Sequence, residues 1–262
     1  MFTEDFIDAY VTGVWLKMYT PTNLSVDYHM KVGLHLEDGL NEGFGEPETD
    51  NNIVAKIKVR KKPTKLAVTT YESLRENLWI FSAAKQYSQV VEMSKMISET
   101  SDFKEFSKKA KKVFDTFNKN YLKTEYNTAV GQSQMARDWV NSYEQKDDLP
   151  YLRYETQKDS HVRDEHAVLD GITLPVDDKF WNMWMPKNGF NCRCFTSQHY
   201  EARIKRPSKA ALAELKDEKK FPELFRMNPG KDGIVFSKKH PYFRVEKGDK
   251  DFKKANYNMP IP

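Results

Sequence analysis

"ARDWVNSYEQKDDLPYLRYET", residues 136–156, changes its structural period within one short stretch. Up to Tyr143 the apolar positions Ala129, Val130, Ala136, Trp139 and Tyr143 keep a helical spacing. "KDDLP" (146–150) ends that pattern, because the residue before a proline is pushed out of helical backbone. "YLRYET" then reads as a strand. A helical front half therefore gives way here to something mixed.

Working back towards the N-terminus, Phe103, Phe106, Ala110, Val113, Phe117 and Tyr121 step by three or four residues and define an amphipathic helix. Its wet side carries Lys108, Lys109, Lys111 and Lys112, and Asp102 with Glu105 has the spacing of a cap. Leu74, Leu78, Phe81 and Val91 mark another helix to about Ser98, whose start is placed at Thr69 by the Thr69–Glu72 capping-box spacing. Phe2, Phe6, Ala9, Tyr10, Val14 and Leu16 give a first helix within residues 1–19. A weaker one runs from Ser25 to about Leu40, interrupted by glycines such as Gly33 and Gly39. "GEPETDNN" (45–52) has the composition of a loop, and 53–62 alternates as an extended segment would.

Working forwards, "DSHVRDEHAVLDG" (159–171) predicts a short helix closed by Gly171. Turn-rich sequence with short strands follows, and 207–220 predicts one more charged helix. The expected class is α+β, a mainly helical N-terminal half followed by a small mixed α/β module that contains the cysteines. The boundaries fall at 1–148 for a helical docking region, 149–200 for the core module, and 201–262 for a charged helix and basic tail.

Hydrophobic residues make up 39% and charged residues 31%, the balance of a folded chain with a very polar surface. No run of about 18 apolar residues exists, so a spanning helix is not expected. The acidic start "MFTEDFIDAY" lacks the form of an export signal, which places folding in a reducing cytoplasm. The net charge of +4 does not by itself demand nucleic acid. The basic runs 56–65, 108–112 and 238–254 read as solvated surface or as phosphate contacts.

The only cysteines, Cys192 and Cys194, are separated by one residue in "GFNCRCF" (189–195); His161 and His166 stand five apart, Cys192 follows His166 by 26 residues, and His199 lies just beyond. Thiolate and imidazole are ligands that zinc prefers. Yet a CxC pair lacks the intervening residues of familiar zinc motifs. Packed free thiols and a strained disulfide stand beside the metal reading. Arg163, His166 and Asp170 fall on one face if the segment is helical. That face is either an acid–base group or a polar cluster pinning the helix to the cysteine turn. No GxSxG, GxxxxGK[ST] or HExxH is present, so no catalytic constellation is complete and no enzyme is expected. Phe180, Trp181, Trp184 and Met185 read as core or docking surface rather than as base-stacking residues.

The stretch 151–194 resembles the signature of the phage Mu F-like minor head proteins, also called phage head morphogenesis proteins. The residues that carry the likeness are Arg163, His166, Leu169, Gly171, Trp181, Pro186, Asn188, Gly189, Asn191, Cys192, Arg193 and Cys194. Residues 121–139 resemble the family's preceding helix, and 225–243 the ending found in versions from Bacteroidetes phages and prophages. The resemblance implies a minor head or capsid protein of a tailed double-stranded DNA phage, acting in head morphogenesis or genome handling. Its implied partners are the portal protein, major capsid or scaffold proteins, and packaged DNA through the basic segments, with no membrane involved. Its implied place is the head interior or portal vertex of the virion, and the host cytoplasm during assembly. It also implies a structural zinc on His166, Cys192 and Cys194; the family motif supplies no fourth ligand, for which this sequence offers His161 or Asp170. The alternative is a metal-dependent enzyme or DNA-processing factor using Arg163, His166 and Asp170.

Overall fold

In the computed structural model, residues 1–45 and 63–262 are described. The extended segment expected at 53–62, and the loop expected at 45–52 beyond Gly45, lie outside them. The chain is α+β. Five longer helices, α1 (Glu4–Trp15), α2 (Val26–Phe44), α3 (Lys65–Ile97), α4 (Phe103–Asp115) and α5 (Leu122–Glu144), precede a small three-stranded sheet. The residues group into two compact units, one of 1–38, 76–127 and 238–262, the other of 39–75 and 128–237.

Local signals explain most helix starts. Thr3 accepts from Phe6 N at the start of α1. Asp102 accepts from Glu105 N while Glu105 reaches back to Ser101 N, so the orphan donors of α4 are met as expected. The start of α3 differs from the reading at Thr69. It begins at Lys65, where the Thr64 hydroxyl accepts from Ala67 N. Thr69 lies inside the helix and bonds back to the Lys65 carbonyl. A Thr-x-x-Glu spacing is a cap only where the chain arrives from outside the helix, and here it arrives four residues earlier.

In the first unit, α4 passes into α5 through one π-helical turn, Thr116–Tyr121. That turn joins the two amphipathic stretches without a break in the helix. Tyr10, Tyr28 and Phe114 form its aromatic centre, with Tyr10–Tyr28 centroids 5.1 Å apart and Tyr10–Phe114 5.6 Å. Gly33 weakens the sequence case for α2 and is required by its packing. A Cβ there would lie 2.2 Å from the ring of Trp79, which is fully buried and donates to Glu37. Alanine improves helix propensity by about 1 kcal/mol. Overpacking against an immobile ring costs up to about 3 kcal/mol and outweighs it. Gly33→Ala is expected to lower the unfolding free energy by about 2 kcal/mol in a urea titration, and an unchanged midpoint would contradict this approach of α2 to α3.

The second unit is built on β1 (Tyr151–Glu155), β2 (Thr173–Pro175) and β3 (Phe195–His199), antiparallel in the order β2-β1-β3. Leu152 pairs with Leu174 and with Gln198, and Arg153 with Thr173 and Ser197. Leu152 and Tyr154 point inwards with Trp139, Leu169, Ile172, Leu174, Trp181, Met185 and both cysteines. Trp181 donates to the Pro175 carbonyl and is fully buried, a core residue.

Two short helices depart from the sequence reading. The segment 159–171 forms only one helical turn, α6 (Asp164–Ala167), so the expected Arg163, His166 and Asp170 face does not exist. Gly171, at φ +74°, ends the turns that follow. A second single turn, α7 (Trp181–Trp184), precedes β3. The charged helix expected over 207–220 is α8 (Lys209–Glu214), capped by Ser208. It stops because the chain turns to bring Phe221 into the core, with Phe221 N bonded to the Asp217 carbonyl.

Candidate metal centre

His166 lies within the single turn of α6 and is 2% exposed. Cys192 and Cys194 come from the tight turn before β3, closed by Cys192 N on the Gly189 carbonyl. Asn191 sits there at φ +55°, a conformation asparagine tolerates better than most residues. Both thiols are free and buried. His166 Nδ1 lies 3.4 Å from Cys192 Sγ and 3.8 Å from Cys194 Sγ, and the three ligand atoms all fall within 4.8 Å of one another. This His/Cys/Cys group can hold a metal ion.

The shell around it is ordered. Phe221 stacks on the imidazole at 5.2 Å and 18°. Tyr154 donates to Asn188, which in turn donates to the Met185 carbonyl, fixing the cysteine turn from below. Arg163 donates to the Phe190 carbonyl at 2.7 Å, and Arg193 forms a two-bond pair with Asp159. That pair, with a further bond from His161 N, holds the Asp159 carboxyl down at about 2.

Charge is shared between the thiols. A hydrogen bond from Cys194, with His166 acting in the same direction against burial, holds the Cys192 thiol well below its ordinary range. The same bond, together with burial, pushes Cys194 up. Two buried thiols sharing a hydrogen bond beside an imidazole make a donor set suited to a cation that supplies charge for both.

His161 and Asp170 are placed differently. A cavity of about 230 Å³ opens onto the three ligands, and His161, Arg163 and Arg193 line it. Asp170 lines another cavity, and its Oδ1 accepts from the Thr156 amide and hydroxyl at 2.8 and 3.0 Å. His199 is bonded to Ser197 on β3, away from the group.

The first unit holds a polar cluster that the sequence reading did not pick out. Lys85 is fully buried and donates to both oxygens of Glu125, at 2.9 and 2.6 Å, and to the Phe117 carbonyl in the π-helical turn at 2.6 Å. Tyr242 donates to Glu125 at 3.0 Å, and Lys85 Nζ lies 5.5 Å from the Tyr242 ring centroid. Burial lowers Lys85 against the pull of Glu125, and burial raises Glu125 against Lys85. Burial, then Lys85, pushes nearby His240 down to about 4. One signal was available. Lys85 follows Leu74, Leu78 and Phe81 on the apolar stripe of α3, where a lysine can stay only with a buried partner.

The comparisons with known proteins bear on the segment that holds this group. Residues 91–197 match the model of the family described as Phage Mu protein F like protein. The putative capsid assembly protein F of Escherichia phage Mu is 34% identical over 84 residues, 32% of this chain and 19% of that protein. The Mu-like prophage FluMu F protein of Haemophilus influenzae is 36% identical over 59 residues, 22% of this chain and 14% of that protein. The aligned part thus spans about a fifth or less of these curated relatives. No solved structure matches the chain. Among the described residues, no helix is long and apolar enough to cross a membrane.

Proposed function

We propose that this chain is a minor head protein that acts in the assembly of a tailed double-stranded DNA phage, and that its His166, Cys192 and Cys194 bind a structural zinc. The observation that carries the reading is that two features coincide. The family match covers α4, α5, the sheet and the cysteine turn, and the buried ligand group lies inside that same segment. The match to a protein named for capsid assembly supports a head-related role and contacts with other head proteins. In this reading the helical region 1–148 docks on the portal or the capsid wall, and the cysteine module is a rigid knob. The site of action is the virion head or the portal vertex.

Ligand separations favour zinc. Bond lengths of about 2.3 Å to sulfur and 2.0–2.1 Å to nitrogen put tetrahedral ligand atoms about 3.5–3.8 Å apart. The two imidazole–sulfur distances, 3.4 and 3.8 Å, already fall within about 0.1 Å of that range before any metal is added. His161, which lines the adjoining cavity, is the better fourth ligand, since both strong contacts of Asp170 go to Thr156. The same placement disfavours the enzyme alternative, which needs Arg163, His166 and Asp170 around one centre.

Quantitative mass spectrometry of purified virions and procapsids tests the role. The chain is expected in a few copies per particle, far below the major capsid protein. Its absence from both particles would overturn the assignment.

A further inference from the structure

The outward face of the sheet in the second unit carries a cavity of about 500 Å³ that the assembly reading does not use. Arg153 from β1 closes on it, with Arg203 and Lys205 from the chain after β3. Lys205 is held beside β2 by a two-way backbone bridge to Thr173. Among the described residues these three cations have no carboxylate partner. Arg153 Nε donates to the Thr173 hydroxyl at 3.1 Å, and Lys205 Nζ to the Asp170 carbonyl at 2.9 Å. The two carboxylates that line the cavity are already engaged. Glu155 accepts from Ser197 at 2.9 Å and pairs with Lys158 at 3.6 Å, while Asp170 accepts twice from Thr156. Counting Lys158, four cations face two carboxylates, a local surplus of two positive charges. Gly171 keeps the floor open, since a Cβ there would come 3.1 Å from Lys205 Nζ.

A single exposed cation is ordinarily just hydrated. Here three converge from two chain segments, and an aromatic surface adjoins them. A neighbouring cavity of about 700 Å³ shares Arg203 and is lined by Tyr151 and Tyr200. Tyr200 is 68% exposed, a ring that nothing in its own unit covers. Unpaired cations that suit phosphate, beside an open ring that suits a base, are the two elements of single-strand recognition.

We infer that this sheet face binds a strand of single-stranded nucleic acid, with phosphates on Arg153, Arg203 and Lys205 and a base on Tyr200. The site goes beyond the head-assembly reading and does not depend on it. It is also separate from the basic runs, because its cations come from the sheet and from the residues just after it.

The test is fluorescence anisotropy of a labelled oligothymidylate with the full chain across a salt series. R153Q/R203Q/K205Q is expected to weaken binding at least tenfold and to lower the log–log salt slope by about 2, at about 0.7 per phosphate contact. Tyr200→Ala is expected to weaken binding about tenfold and leave the slope unchanged. K238Q/K239Q, in the basic tail, is expected to bind as the unaltered chain does. Should the triple variant fail to fold, Arg203→Glu alone, at an exposed position, is expected to give at least a fivefold loss. No binding at low salt overturns the inference, as does loss that follows the tail variant while the sheet variants bind normally. Calorimetric binding of inorganic pyrophosphate without binding of the oligonucleotide overturns the strand assignment and leaves a small-anion site.

Discussion

Purified from zinc-supplemented cells, the chain is expected to carry about one zinc, and stripping it should lower the melting temperature by about 6–16 °C. The size follows from linkage. A ligand present at a hundred to a thousand times its dissociation constant stabilises the folded state by about 3–4 kcal/mol. In a chain of this length each kcal/mol moves the midpoint by about 2–4 °C. The full free energy of a zinc finger is not expected, since Trp181, Leu152 and their neighbours supply a core that does not need the metal. The double variant Cys192→Ser/Cys194→Ser should melt near the stripped protein and ignore chelator. Thiol titration gives an independent readout, with both cysteines reactive only after chelation. A metal-free chain whose melting is indifferent to chelator would make the turn a pair of packed thiols, leaving the family match untouched.

Lys85→Met is expected to cost about 3–5 kcal/mol in urea unfolding. The cost comes less from the lost attraction than from what remains, a Glu125 carboxylate in the interior with Tyr242 as its donor and the Phe117 carbonyl without the lysine. Lys85→Met/Glu125→Leu should recover much of the loss, since exchanging a whole buried pair for apolar side chains is often neutral. Tyr242 stands on the C-terminal segment, whose His240 and Tyr242 rings also pack on Phe81. Lys85→Met should therefore expose 238–262 to limited proteolysis before the rest of the unit opens. If the single variant proves as stable as the parent, Glu125 is protonated or hydrated in the folded state, and the pair is not what holds the segment.

The C-terminal segment also shows where sequence reading reached its limit. As sequence, 238–254 is a basic run of the kind that stays hydrated. In the structure its aromatic residues Tyr242 and Phe243 are buried, and Tyr87 donates to Asp249. The alternation of lysines with aromatics records that double role, but the partner residues lie 117 and 162 positions away along the chain. No local pattern contains such a pairing.

What the amino-acid sequence determined by itself is whatever rests on neighbours three or four residues apart. The amphipathic stripe of α4, its Asp102 cap, the break at Pro150 and the strand at Tyr151–Glu155 could all be read directly, because the interactions that make them close within one turn or one pleat. His166, Cys192 and Cys194 could be singled out by residue type and by resemblance. Their meeting within 4.8 Å, across 26 and 28 residues, depends on the path of the chain between them. The tertiary structure alone decided that α6 stops after one turn and that His161, rather than Asp170, lines the ligand cavity. It alone explained the Gly33 approach to Trp79 and the burial of Lys85. Helix propensity disfavours the first and hydrophobicity the second, at about 1 kcal/mol and more, and close packing between distant segments outweighs both.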